Sequence, residues 1–152
     1  MININFFDIY IKMDNKEGLT LVKTTDEEYN VDYEGRRQGK CIKFTESGKI
    51  HEICNYVDDE LDGKFICYYY NKNIIHIKCN YSKGLKEGEF ISYYYYGLRK
   101  KYFEGNYVNN KKEGYWYEYK NEENSVPEIK YYKDGVECDP PSIQVKNARK
   151  KV

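Results

Sequence analysis

The two histidines fall in one short pattern, His51-x-x-Cys54 and His76-x-x-Cys79, and His with Cys in a duplicated pair is the donor set of a four-ligand zinc site. Spacing argues against that chemistry if the segments are strands. Residues three apart on a regular strand point to opposite faces, which separates each His from its Cys. The two copies would also sit on equivalent strands with another between them, about 9 to 10 Å apart. Zinc bonds of roughly 2 Å do not bridge that gap. The expectation is that the pairs recur because a larger unit recurs, with no metal and no cofactor. Cys41, Cys67 and Cys138 complete five cysteines, and none has a histidine placed in sequence as an activating base. Asp62, Glu87 and Glu113 form a row of carboxylates, but acid–base work needs a sheltered pair with separated pKa values. They read as solvated turn residues. The glycines stand singly rather than in a phosphate-cradling loop. No catalytic residue is expected, and the chain is not expected to be an enzyme.

The larger unit is an internal repeat. Gly63-Lys64-Phe65-Ile66-Cys67-Tyr68-Tyr69 lies over Gly88-Glu89-Phe90-Ile91-Ser92-Tyr93-Tyr94, and Gly114-Tyr115-Trp116-Tyr117-Glu118-Tyr119 fits the same frame. Gly39-Lys40-Cys41-Ile42-Lys43-Phe44 fits it more loosely. The glycines step by 24, 25 and 26 residues (Gly39 to Gly63, Gly63 to Gly88, Gly88 to Gly114). Tyr56, Tyr81 and Tyr107 precede them in phase, and Tyr132-Lys133-Asp134-Gly135 begins a partial copy. Each unit reads as a hairpin: a glycine opening a strand of about six residues, a polar turn, a return strand such as Lys49 to Tyr56 or Ile74 to Tyr81, and a second polar loop such as Val57 to Asp62. No hairpin can bury its aromatic face alone, so neighbours must stack.

The remaining composition agrees with sheet. Aromatic residues make up 17% of the chain, 19 of them tyrosine, a residue suited to a half-buried pleated surface. Residues 1–32, with Ile2, Ile4 and Phe6 alternating with Asn3 and Asn5 and then Leu19 and Leu21, read as capping strands. Residues 33–138 hold about four repeats and the partial copy, and residues 139–152 form a tail opened by Pro140-Pro141 and carrying Lys146, Arg149, Lys150 and Lys151. Charged residues cancel to a formal net charge of +0, which disfavours nucleic acid as a partner. The clusters Arg36-Arg37, Arg99-Lys100-Lys101 and Lys111-Lys112 fall at different repeat positions, so lipid binding finds support only in the small basic tail. The amino terminus lacks the basic leader and apolar run of a signal peptide, and an odd cysteine count fits a reduced, intracellular, cytoplasmic setting.

The pattern Tyr-x-x-x-x-x-(Asp/Glu)-Gly-x-(Phe/Trp)-x-x-Tyr-Tyr resembles the MORN repeat, and more closely the longer variant in YwqK-type antitoxin-like proteins. The resemblance spans roughly Tyr33 to Gly135, with Tyr56–Asn80 and Tyr81–Asn106 the closest copies. Tyr33–Asn55 departs from it with Cys41 in an aromatic position, and the copy from Tyr107 carries an insert, Asn121 to Pro127. It implies an all-β, elongated, single-layer twisted antiparallel sheet with an interaction or scaffold role. Two aromatic ladders then become partner-binding candidates. Phe44, Tyr68, Tyr93 and Tyr119 should line one face, and Phe65, Phe90 and Trp116 the other. A single layer leaves one ladder accessible, and accessible aromatic surface marks partner sites. The expected partner is a protein, a second copy joined at a sheet edge, or a larger assembly. The alternative is an antitoxin-like inhibitor of a toxic enzyme.

Overall fold

The computed structural model describes residues 18–97, 100–122 and 125–141. They form one antiparallel sheet of twelve strands laid side by side in chain order apart from one short strand, and not closed into a barrel. The strands are β1 (Thr20–Lys23), β2 (Glu27–Val31), β3 (Arg37–Phe44), β4 (Ile50–Val57), β5 (Glu60–Leu61), β6 (Gly63–Tyr68), β7 (Ile75–Ser82), β8 (Leu85–Tyr93), β9 (Lys101–Val108), β10 (Lys111–Glu118), β11 (Glu128–Lys133) and β12 (Val136–Cys138). The short β5 pairs only with β4.

The tightest connections are Asp58-Asp59, Lys83-Gly84, Asn109-Asn110 and Asp134-Gly135. Both residues of each pair have positive φ, from 48° to 84°. That is the two-residue turn whose twist matches the strands it joins, and Asn, Asp and Gly tolerate it best. The second polar loop expected from sequence is therefore shorter than its composition suggests: Glu60-Leu61 and Leu85 to Glu87 already pair as strand. Gly63 opens β6, a strand of six residues, as expected, whereas Gly39, Gly88 and Gly114 lie inside β3, β8 and β10. Gly88 (φ +76°) lies inside β8, where Lys86 to Phe90 span only Cys79 to Tyr81 of the partner strand. The glycine marks a bulge within a strand, where positive φ again excludes most side chains.

Register assigns the faces. Glu52 opposes Cys67, Cys67 opposes Ile77, Ile77 opposes Ser92 and Ser92 opposes Phe103, forming one row across the sheet. Above it on the same face runs Cys41–Cys54, then Phe65–Cys79, Phe90–Gly105 and Trp116. Ile42, Ile53, Ile66, Lys78, Ile91, Glu104 and Tyr117 form the corresponding row on the opposite face. The core is thin. Among the described residues only Cys41, Cys54, Cys79 and Trp116 are buried apolar side chains, all in the upper row of the first face.

At the amino-terminal end β1 and β2 pair with each other and β2 with β3, which continues the sheet before the first repeat. The strand expected over Ile2 to Phe6, and the tail from Ser142 onward, lie outside the described residues. The last strand ends at Cys138, two residues before Pro140-Pro141.

Candidate functional site

The two aromatic ladders fall on opposite faces and do different things. On the first face Phe65, Phe90 and Trp116 pack edge-on and tilted against the tyrosines that oppose the repeat glycines. Phe65 meets Tyr81 at 5.5 Å between ring centres, Phe90 meets Tyr107 at 5.5 Å and Trp116 at 5.7 Å, and Trp116 meets Tyr107 at 5.0 Å. Cations close this ladder. Arg37 lies 4.1 Å from the Tyr29 ring centre and 5.5 Å from that of Tyr56, while Lys112 lies 4.4 Å from Trp116 and 4.7 Å from Tyr132. Lys86 covers Tyr107 at 5.2 Å. Each cation stands two residues before its repeat glycine, Leu61 taking that place in the remaining copy. Cations over rings contribute about 0.5–1 kcal/mol at exposed sites. Trp116 is only 4% exposed and donates from Nε1 to the Asn106 carbonyl at 3.2 Å. This ladder holds hairpin to hairpin.

The second face is more open. Tyr68 and Tyr93 line a cavity of about 470 Å³ together with Ile75, Lys78, Tyr95 and Tyr96, at the end of the sheet where the longer turns gather. A repeated bond ties successive hairpins together beside it. The Tyr69 hydroxyl donates to the Tyr93 carbonyl and the Tyr94 hydroxyl to the Tyr119 carbonyl, each at 2.7 Å. Lys78 Nζ stands 5.9 Å from the Tyr93 ring centre, the one ammonium on the cavity wall among the described residues. Tyr96 is 75% exposed at the rim. Tyr119 lies on this face too, but its hydroxyl is committed to Glu104, which also pairs with Lys101. Burial and the Glu104 carboxylate push the Tyr119 phenol up to about 12. Burial raises the Glu104 carboxyl, and the bonds from Lys101 and Tyr119 outweigh it, holding the group below the usual carboxylate range. Phe44 sits at the matching position of the first copy, opposite Ile50.

The His-x-x-Cys pairs are not brought together. Cys54 is buried beside Cys41, and Cys79 opposes Phe65. The alternation argument nevertheless fails at the histidines, because each occupies a bulge. Lys43 opposes Glu52 and Phe44 opposes Ile50, leaving His51 as the extra residue; Cys67 opposes Ile77 and Tyr68 opposes Ile75, leaving His76. His51 is grouped with Glu52 and Cys67, a Cys from the next repeat rather than the one three residues on. His76 stacks on Tyr69 at 4.3 Å, and burial followed by the charge of His51 lowers its pKa. The contact with Cys54, then burial, pushes the Cys41 thiol well up, so it stays protonated.

The carboxylate row is not simply solvated. Asp62, Glu87 and Glu113 accept the backbone N–H groups of Lys83, Asn109 and Asp134, the first residue of the following turn, at 3.1, 2.9 and 2.8 Å. Gln38 does the same for Asp58 at 3.3 Å. The basic clusters are likewise engaged: Arg36 pairs with Asp32 and Glu34, Arg37 with Glu27, and Lys101 with Glu104.

Compared with protein-family models, with curated proteins and with solved structures, the chain matches none. Its class therefore rests on its own architecture: an all-β protein built as one long antiparallel sheet of successive hairpins. The function has to be read from the surfaces.

Proposed function

We propose that the chain is a non-enzymatic MORN-type interaction module that docks a protein partner on the face carrying Tyr68 and Tyr93. The observation that carries this reading is the contrast between the ladders. Phe65, Phe90 and Trp116 spend their rings on each other and on neighbouring tyrosines, whereas Tyr68 and Tyr93 border an open cavity. At about 470 Å³ it has the size at which clefts bind groups specifically. Rigid tyrosines lose little conformational freedom on contact and anchor many interfaces. An apolar side chain fits between the rings, and a partner carboxylate beside it would meet Lys78. A scaffold that collects proteins along a sheet is the role this supports.

The test is light scattering on the protein purified from its native source with its companion, for the wild type and for Tyr93→Ala and Lys78→Glu. A stoichiometric companion that leaves in both variants, and stays bound when Glu60 on the far turn is changed to Gln, is the expected result. A companion that survives both substitutions, or a lone monomer in the wild type, rejects this face as the docking site. If the companion is an enzyme silenced in the complex, the module is an inhibitor rather than a scaffold.

A further inference from the structure

The repeat is close to uniform in backbone, so a place where one copy breaks the chemistry of the others is informative. At the joints β4–β6, β7–β8 and β9–β10 the return strand carries a bulged residue followed by one that opposes the fifth residue of a glycine-led strand. In the second and third copies these positions are filled by His76, Ile77 and Ser92, and by Tyr102, Phe103 and Glu118. An apolar side chain sits at the centre in both. In the first copy the same positions hold His51, Glu52 and Cys67. A carboxylate replaces the apolar residue, and a thiol and an imidazole flank it.

The bulge makes the three converge. It releases His51 from the alternation that would turn it away from Glu52, and the β4–β6 register sets Cys67 directly across from Glu52. One ligand atom from each of the three side chains lies within 4.8 Å of the others, and all three residues are half-buried. A tetrahedral ion with bonds of about 2.0–2.3 Å needs its donors roughly 3.3–3.8 Å apart. Side-chain rotation of about 1 Å therefore closes the set. An independent observation points the same way: His51 Nδ1 is buried and has no hydrogen-bond partner, the only such side-chain atom among the described residues. An orphaned buried nitrogen is costly, and coordination would satisfy it.

We propose that His51, Glu52 and Cys67 form a binding site for a single zinc ion, with solvent in the fourth position. The donor types fit a borderline-soft d¹⁰ cation better than magnesium or calcium, which favour all-oxygen sets. One carboxylate and one thiolate balance the 2+ charge, the thiol proton leaving to solvent as the metal enters. Lys43 competes for the site. Its ammonium holds Glu52 at 2.9 Å and is 38% exposed, so it can swing into water when the ion takes the carboxylate. The joint between the first and second hairpins would thus be pinned by metal where the later joints are pinned by apolar contact.

The probe is cobalt(II), followed by zinc displacement, added to the full chain with Cys138, the exposed thiol, changed to Ser. One equivalent should produce a thiolate-to-cobalt charge-transfer band that zinc abolishes. His51→Phe and Cys67→Ser should each lose the band, and Cys54→Ser should keep it. Lys43→Met should bind cobalt more tightly than the parent, an outcome that misfolding cannot imitate. Absence of the band in the parent, its survival in Cys67→Ser, or weaker binding by Lys43→Met would each overturn the proposal.

Discussion

The first hairpin and the last full hairpin solve the same packing problem in opposite ways. Both place the second residue after the repeat glycine on one face of the sheet, at the row that forms the core. In the first hairpin that residue is Cys41, and it opposes Cys54, two small side chains that together bury completely, at 0% and 1% exposure. In the last it is Trp116, and its ring lies over Gly105, where a Cβ would come within 2.4 Å of the ring atoms. Gly105 has no positive φ to justify it. It is glycine because its neighbour is tryptophan. What recurs within this chain is a filled row on this face, not the residues that fill it.

This comparison can be broken most severely at its larger end. Trp116→Ala should cost about 3–5 kcal/mol, measured by urea unfolding, because it removes the one buried ring among the described residues and leaves a cavity over Gly105. Gly105→Ala should cost about 1–3 kcal/mol by overpacking. The double variant Gly105→Ala with Trp116→Phe should recover part of that loss, since Phe90 already packs beside Cys79 in the middle of the sheet. Additive losses in the double variant would show that the two positions do not share a volume. At the smaller end, Cys54→Ala should cost about 1 kcal/mol, the scale of one buried methyl-sized group.

The least of the expected effects separates the hairpins by pH. Tyr119 carries the hydroxyl that Phe44 lacks at the same repeat position. Its pKa is raised to about 12, above the ordinary tyrosine value of about 10. The folded chain therefore keeps a proton that the unfolded chain releases between those values. Stability from this group is complete below pH of about 10 and is lost as pH rises toward about 12. Tyr119→Phe should flatten that alkaline slope, read by thermal denaturation across the window, and Phe44→Tyr should not reproduce it.

Much of the architecture was legible in the sequence because a hairpin repeat writes its period in residues with narrow backbone tolerance. Gly88 and Gly114 hold positive φ, and Lys83-Gly84 and Asp134-Gly135 form tight turns. Face assignment was legible for Phe65, Phe90, Trp116, Tyr68 and Tyr93, where strict alternation holds. It failed at His51 and His76, because a bulge adds a residue without leaving a compositional trace, and the metal-like spacing was judged on an alternation that those positions do not obey. The division of labour between ladders was hidden for another reason. Whether an aromatic is engaged depends on its neighbours in space, and Gly105 acquires meaning only once the Trp116 ring of the adjacent strand lies over it. The carboxylate row likewise looked like hydration, since the N–H groups that donate to it belong to turns about twenty residues downstream, as in Lys83 with Asp62.

Those turn bonds tie each tight turn back to an earlier strand. Besides the carboxylates, the backbone carbonyls of Arg37, Leu61, Lys86 and Lys112 accept the N–H groups of Asp59, Gly84, Asn110 and Gly135, at 2.9 to 3.2 Å. In these four the acceptor precedes the donor, and the Asp59 and Asn110 side chains return the bond by accepting the Arg37 and Lys86 N–H groups at 2.8 and 2.7 Å. As a ribosome releases the protein from its amino terminus, each finished hairpin therefore presents the template on which the next turn closes. A sheet whose strands follow chain order can be extended hairpin by hairpin, each new one closing against an edge already laid down.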